Sequence, residues 1–255
     1  MSVGAILPAL NAAPFIGDVV AEIRRLHPDF RVLVVDDGST DGTGEKAREA
    51  GAEVIAHEVN RGKGEALKTG YRWGHDENVA WVFTMDSDGQ HLPNEMQGFL
   101  NARDQGDLDI VVGSRMDATE GMPWLRKKTN QFTSWIISRL AGQDIPDSQN
   151  GYRLYRTECL QGLKLKTSRY DAESEILVRL ARRGYTIGHA PVTTDVVPEP
   201  PGQVSIAGRA VIFPANFGYA GSTVELWRVD AGTGQRVDSE PTEIFPIDPT
   251  GNFGP

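Results

Sequence analysis

Short apolar segments alternate with amphipathic segments over the first two thirds of the chain, and this alternation constrains the fold most strongly. The apolar segments predict strands at residues 3–7, 31–35, 54–56, 80–85, 109–112, 152–155 and 186–196. The amphipathic segments predict helices at residues 14–26, 41–50 with Thr40 or Asp41 as cap, 63–73, 94–105, 124–140 and 171–183. Strand–helix–strand repeats form a mostly parallel sheet flanked by helices, so the sequence predicts an α/β fold.

The composition changes after residue 196. Residues 197–203 contain three prolines and a glycine, which is typical of a linker. Residues 204–255 lack a helical period, and their pattern predicts two or three antiparallel strands, two of them at 224–229 and 242–247. We therefore expect a large domain at 1–196, a Pro-rich linker at 197–203, and a β-rich tail or domain fragment at 204–255.

Charge and composition exclude several classes of protein. Of the 255 residues, 39% are hydrophobic, which supports a packed core, and the net charge of −9 disfavours nucleic-acid binding. The single cysteine, Cys159, cannot form an intrachain disulfide. The first residues lack the features of a signal peptide, and no apolar run approaches the roughly 18 residues of a membrane span. We expect a cytoplasmic protein, with peripheral contact at the inner face of the cell membrane left open.

Acidic side chains follow the predicted strand at 80–85. Asp86 and Asp88 flank Ser87, and Gln90 stands two residues further on. Two carboxylates and an amide oxygen at this spacing are hard ligands of the kind that Mg²⁺ or Mn²⁺ prefers. An isolated Asp-x-Asp turn is more often simply solvated, but a second acidic pair after another strand favours a metal site.

That second pair is Asp36 and Asp37, at the end of the strand at 31–35. One of the two carboxylates could accept hydrogen bonds from a nucleotide base or ribose, while the pair also turns the chain toward the next helix. Lys63 begins the helix at 63–73, where glycines and basic residues can contact phosphate, or form only a tight turn with solvated charges.

These segments, in order, resemble the family 2 glycosyltransferases, and among them the polyprenyl-phosphate (dolichyl-phosphate) mannose or glucose synthases. The matching segments are residues 7–11, 35–43, 60–70, 85–91, 113–115, 147–153 and 172–175. Leu10 and Ala12 stand where the family often has Tyr and Glu. The tail, at 224–230 and 248–255, resembles a small β-sandwich appended to some bacterial lipases.

The resemblance implies the GT-A type of fold and a set of site residues. It implies nucleotide-sugar contacts from Pro8, Leu10, Asp36, Asp37, Lys63, Asp86, Ser87 and Asp88. It implies a metal, Mg²⁺ or Mn²⁺, on Asp86, Asp88 and Gln90. It also implies phosphate contacts from Arg115 and Arg126, of which Arg126 belongs to a basic cluster at 126–128.

The implied reaction moves a sugar, with inversion, from a GDP- or UDP-sugar to a polyprenyl phosphate. A phosphate nucleophile is already charged and needs no strong general base. For a sugar hydroxyl of a cell-surface glycan, the alternative acceptor, Asp147 or Glu173 is the candidate base. A truncated or chimeric chain that binds the donor without transferring it is a third possibility. A sugar-nucleotide pyrophosphorylase is disfavoured because residues 7–14 lack a Gly-rich loop.

Overall fold

The computed structural model describes residues 1–115, 124–163, 171–193, 210–212, 223–227 and 243–246, and the side chains of all of these except 124–129, 171–172 and the three segments after 193. The chain forms two compact units, Met1–Val197 and Pro198–Pro255.

Seven strands of the first unit form one mixed sheet. They are β1 (Val3–Ala9), β2 (Arg31–Asp36), β3 (Glu53–Ala56), β4 (Trp81–Thr84), β5 (Ile110–Ser114), β6 (Arg153–Arg156) and β7 (Ile187–Pro191). Their order across the sheet is β3-β2-β1-β4-β6-β5-β7. Strand β6 runs antiparallel to both neighbours, and the other pairs are parallel. The prediction of a mostly parallel α/β sheet is confirmed.

In the described residues of this unit, six helices flank the sheet. They are α1 (Ile16–Leu26), α2 (Thr43–Glu49), α3 (Lys63–Asp76), α4 (Met96–Gly106), α5 (Trp124–Ala141) and α6 (Asp171–Arg182). Apolar side chains of α1, α2 and α4 form a core on one face, and those of α3 and α6 form a core on the other, with α5 packed against it. Among the described residues, no helix combines the length and apolar character that a membrane crossing requires.

Strand burial explains the continuous apolar runs of the sequence. All seven residues of β1 are buried, and Leu7 belongs to one core while its neighbour Ile6 belongs to the other. Successive side chains of a strand point to opposite faces, so a strand covered on both faces is apolar throughout. Helical coverage of both faces leaves the ends of the strands as the place where polar side chains gather.

Some element boundaries differ from the sequence predictions. Helix α2 begins at Thr43 after Gly42, whose φ of 84° favours glycine, so neither Thr40 nor Asp41 holds the cap position. Asp41 still accepts a hydrogen bond from the Thr43 amide at 3.0 Å. Helix α4 is preceded by a 3₁₀ turn at Pro93–Glu95. The last strand of the sheet ends at Pro191, and residues 194–196 of its predicted range lie outside the described residues.

The second unit contains an antiparallel sheet. Its strands are β8 (Ala210–Ile212), β9 (Thr223–Trp227) and β10 (Glu243–Pro246), in the order β10-β9-β8. The two strands predicted in the tail are therefore present, and β8 adds a third that the sequence pattern did not single out.

Candidate active site

The acidic segments after β2 and β4 lie at the same edge of the sheet. Strands β2 and β4 flank β1 and run parallel to it, with Ala9 paired to Asp36 and Ile6 paired to Thr84. Pro8 is buried within β1, and Leu10, just past its end, is 44% exposed. Ligands bind at the carboxyl ends of such strands, so this edge is the candidate active site.

Hydrogen bonds join the loop after β1 to the loop after β2. The Asn11 amide donates to Ser39 Oγ at 2.9 Å, and the Asn11 side-chain oxygen accepts from the Thr40 amide at 3.0 Å. The Ala12 amide donates to Thr43 Oγ1 at 2.8 Å. These bonds fix the two strand ends relative to each other.

The Asp37 carboxylate is buried and holds the loop that precedes α3. It accepts hydrogen bonds from the Arg61 amide at 3.0 Å and the Gly62 amide at 2.7 Å, and His57 Nδ1 lies 2.6 Å from its Oδ1. Asp36 Oδ1 accepts from the Ser39 amide at 2.9 Å. Both aspartates therefore organise loops at the candidate site, and their contact with a nucleotide stays a prediction.

Lys63 joins two acidic side chains from different elements. Its ammonium lies 2.5 Å from Asp86 Oδ1, after β4, and 2.7 Å from Glu173 Oε1 in α6. Burial disfavours the charge on Lys63, but the two carboxylates outweigh it and raise the lysine pKa above its ordinary value. Burial likewise opposes ionisation of Asp86, yet Lys63 and then His91 lower the pKa of that carboxyl.

Gly151 lies directly against this group of three charges. A Cβ atom at Gly151 would lie 3.2 Å from Lys63 Nζ, 3.2 Å from Glu173 Oε1 and 3.3 Å from Asp86 Oδ1. The Gly151 carbonyl also accepts a hydrogen bond from Thr84 Oγ1 at 3.0 Å. The absence of a side chain at this position lets the three charged groups approach one another.

Asp88 and Gln90 are exposed, and Ser87 is half-buried. The Asp88 carboxylate accepts a hydrogen bond from the backbone amide of Gln90 at 3.0 Å. His91 Nδ1 accepts a hydrogen bond from the backbone amide of Asp86 at 3.0 Å, and the His91 ring stacks on the Tyr152 ring. These two contacts hold the turn in place.

In the described part of the chain, no three His, Cys, Asp or Glu side chains form a metal-binding group. The Asp88 carboxylate and the Gln90 amide oxygen are nevertheless hard donors that fit Mg²⁺ or Mn²⁺ if phosphate and water complete the coordination. One oxygen of Asp86 is already paired with an ammonium ion.

Arg115, just after β5, and Asp147 form a bidentate ion pair. Arg115 Nε donates to Asp147 Oδ2 at 2.7 Å and Nη2 donates to Oδ1 at 2.9 Å, while the Arg115 amide also donates to Oδ2 at 3.2 Å. The side chain of Asp147 is fully buried and that of Arg115 is 14% exposed. Burial opposes the arginine charge, but Asp147 raises its pKa. Both carboxylate oxygens of Asp147 are therefore bonded to Arg115. Arg126, the other predicted phosphate contact, lies in α5, and its side chain is outside the described residues.

Arg153, in β6, is a site-supporting residue that the sequence predictions did not assign. Its guanidinium, 1% exposed, donates to the Asn150 carbonyl at 2.7 Å, the Ser148 carbonyl at 2.9 Å and the Glu173 carbonyl at 2.7 Å. It therefore fixes the 147–151 loop against α6. An arginine inside a segment predicted as a strand was the available signal, because a charge that the sheet buries requires partners.

Comparison with known protein families gives two matches along the chain. The family described as Glycosyl transferase family 2 matches residues 5–163. The family described as Lipase C-terminal domain matches residues 202–255. The resemblances noted for the two parts of the sequence are confirmed.

Individual relatives align with the same part of the chain. Polyprenol monophosphomannose synthase of Mycolicibacterium smegmatis is 30% identical over 200 residues, which cover 74% of this chain and 75% of that protein. UDP-N-acetylglucosamine–dolichyl-phosphate N-acetylglucosaminyltransferase of Methanococcus voltae is 30% identical over 211 residues, covering 74% of this chain and 84% of that protein.

A solved structure has the same fold. Glucosyl-3-phosphoglycerate synthase from Mycobacterium tuberculosis, crystallised with Mn²⁺, uridine diphosphate and phosphoglyceric acid, superposes with a TM-score of 0.62 at 21% identity. The superposition covers 94% of this chain and 87% of that one. The large sheet is of the GT-A type.

Proposed function

Since the chain belongs to glycosyl transferase family 2, we propose that it transfers a sugar from a nucleotide diphosphosugar to a polyprenyl phosphate, with inversion. Its relatives include a polyprenol monophosphomannose synthase and a dolichyl-phosphate N-acetylglucosaminyltransferase. The observation that carries the proposal is the meeting of the Asp36–Asp37 and Asp86–Asp88 segments at one edge of the sheet, beside the end of β1.

The donor diphosphate would lie at this edge, with Asp88, Gln90 and Asp86 as the residues to hold a divalent cation. Such a cation neutralises the charge that develops on the leaving nucleoside diphosphate. Lys63 adds a fixed positive charge at the N-terminus of α3, where amide groups also favour phosphate. Leu10 and the Asp36–Asp37 loop would determine whether the donor nucleotide is GDP or UDP.

The acceptor is inferred from the state of the candidate bases. Asp147 is held by Arg115, and Glu173 is held by Lys63, so neither carboxylate is placed as an uncommitted proton acceptor. A sugar hydroxyl needs such a base, whereas a phosphate monoester is already an anionic nucleophile. Transfer to a lipid phosphate therefore needs only positioning and charge neutralisation from this site.

The test is an acceptor panel. The purified chain is incubated with Mn²⁺ and radiolabelled GDP-mannose, UDP-glucose or UDP-N-acetylglucosamine, and with a polyprenyl phosphate, the matching polyprenol or a free oligosaccharide. We expect label in the organic phase with the polyprenyl phosphate and one donor, and no transfer to the other acceptors. Transfer to the oligosaccharide, or hydrolysis of every donor without a lipid product, would contradict the proposal.

A further inference from the structure

Helix α5 exposes a group of apolar side chains that the site does not use. Phe132 is 62% exposed, Trp135 is 56% exposed and Leu140 is 48% exposed. The Phe132 and Trp135 rings stack with centroids 6.2 Å apart, and the Arg139 guanidinium lies 5.5 Å from the Trp135 ring. We call these four residues the α5 patch. Large apolar side chains exposed together mark an interaction surface.

The α5 patch lies on a helix whose sequence is basic, although the chain as a whole is acidic. Helix α5 contains Arg126, Lys127, Lys128 and Arg139 and no acidic residue, although the net charge of the chain is −9. Next to it, a groove between α5 and α6 is lined by the apolar Ile137 and Val178 and by Arg179, Arg182 and Arg183. Glu175 pairs with Arg179 at 2.7 Å and is the acidic residue of this groove.

A different face of α5 contacts the loop that carries Asp147. Ser134 Oγ accepts a hydrogen bond from the Ser148 amide at 2.9 Å, and Ser138 Oγ accepts from the Ile145 amide at 2.9 Å. The loop between those two amides carries Asp147, the partner of Arg115. Helix α5 therefore connects the outer patch directly to the loop of the site.

We propose that the α5 patch docks the protein on an anionic lipid bilayer, an inference that rests on the proposed function because it brings a lipid-phosphate acceptor to the site. Aromatic rings settle at the boundary between acyl chains and head groups, and neighbouring arginines pair with anionic phosphates. A symmetric contact between two copies of the chain would instead bring two arginine-rich surfaces together, which charge repulsion disfavours.

Vesicle co-sedimentation tests the docking surface. The double variant Phe132→Ser with Trp135→Ser removes exposed side chains, and Val59→Ser, at an exposed valine in the loop before α3, is the matched control. We expect the unchanged protein and the Val59→Ser variant to sediment with phosphatidylglycerol vesicles and not with phosphatidylcholine vesicles. The double variant should bind at least about 10-fold more weakly, and Arg139→Gln should weaken binding in a salt-dependent manner.

Three results would overturn the proposal. They are no binding of the unchanged protein to anionic vesicles, equal binding to neutral vesicles, and vesicle binding that the double variant retains. Light scattering provides a further check. If the unchanged protein is a dimer and the double variant is a monomer, the α5 patch is a self-association surface and the proposal is wrong.

A second assay separates this proposal from the proposed function. A short-chain, water-soluble prenyl phosphate needs no membrane, so all variants should transfer sugar to it equally, while the double variant should lose transfer to acceptor in anionic vesicles. Transfer to the soluble acceptor without any vesicle binding overturns the docking surface alone. Vesicle binding that depends on the α5 patch, with no transfer to either acceptor, overturns the proposed function and leaves the docking surface supported.

Discussion

Lys63 Nζ lies 2.5 Å from Asp86 Oδ1, so the first residue of α3 is bonded to the acidic turn that follows β4. The same ammonium reaches Glu173 in α6 at 2.7 Å. Three elements separated in sequence by up to 110 residues thus meet in one group of charges at the candidate site. In this group the two carboxylates share one ammonium.

Replacement of Lys63 by methionine should destabilise the protein and reduce transfer. It removes the ammonium that Asp86 and Glu173 share and leaves Glu173 with the more distant Arg153 guanidinium, at 4.0 Å. The side chains of Asp86 and Glu173 are 33% and 13% exposed. We expect a loss of about 1–3 kcal/mol in the free energy of unfolding, measured by urea denaturation. Lys68→Met is the control, because its pair with Glu65 is more exposed and should be worth less than about 1 kcal/mol. Equal losses in the two variants would contradict the role of Lys63.

The pH dependence of stability should report Asp86. Its pKa is lowered in the folded protein, because Lys63 and His91 outweigh the effect of burial. The unfolded chain, with a carboxyl pKa of about 3.9, therefore binds the proton more readily. The stabilisation is present above that value and is lost as the pH falls through it toward the lower folded pKa.

Urea unfolding from pH 2.5 to pH 7 measures this loss. In Asp86→Asn the acid-side slope should be shallower than in the unchanged protein, although both retain the slopes of other carboxylates. Parallel stability curves would show that Asp86 gains no protection from Lys63.

Replacement of Asp147 by asparagine should lower the stability of the fold, because the Asp147 carboxylate is paired with Arg115. The pair is buried, and loss of one charge strands the other, so we expect a cost of about 3–5 kcal/mol in unfolding free energy. Asp144→Asn, at an exposed position of the same loop, should leave stability unchanged. A general base would give a different result, a stably folded Asp147→Asn variant whose pH–rate profile has lost its acid limb.

Replacement of Gly151 by alanine should disturb the three charges around Lys63. The added methyl group would lie 3.2 Å from both Lys63 Nζ and Glu173 Oε1, so those side chains must shift by a few tenths of an ångström. We expect kcat/KM to fall by about 10-fold, because small misplacements of charged groups in a site reduce the rate. Gly98→Ala is the control, since no atom lies within 4 Å of its added Cβ, and it should gain about 0.5–1 kcal/mol of stability in α4. Equal activity of the two variants would contradict this role.

The sequence predicted the sheet, and it indicated where acidic residues would gather at strand ends, because both depend on local patterns. Continuous apolar runs identified strands such as β1, and acidic residues immediately after β2 and β4 identified the strand ends. The insertion of β6 antiparallel between β4 and β5 was not predicted. Periodicity gives the type of an element, whereas the order of strands depends on contacts between distant segments.

The partners of the charged site residues could not be predicted for the same reason. Arg115 and Asp147 are 32 residues apart, and Asp37 accepts a hydrogen bond from the backbone amide of Gly62, which is 25 residues away in sequence. Sequence reasoning treated Arg115 as a phosphate ligand and Asp147 as a candidate base, but it had no means of pairing them. Arg153 was likewise visible only as a charge within a predicted strand, although its guanidinium joins the 147–151 loop to α6.

The proposed transfer reaction requires that a nucleotide diphosphosugar bind through a divalent cation at the end of β4, and titration calorimetry measures this binding directly. GDP- and UDP-sugars are titrated into the unchanged protein, Asp88→Asn and the control Asp18→Asn, whose exposed side chain lies in α1. We predict binding of one donor class that requires Mn²⁺ or Mg²⁺, is retained in Asp18→Asn, and is weakened at least about 100-fold in Asp88→Asn. No heat with any sugar nucleotide in the presence of the cations, or undiminished binding in Asp88→Asn, would contradict it.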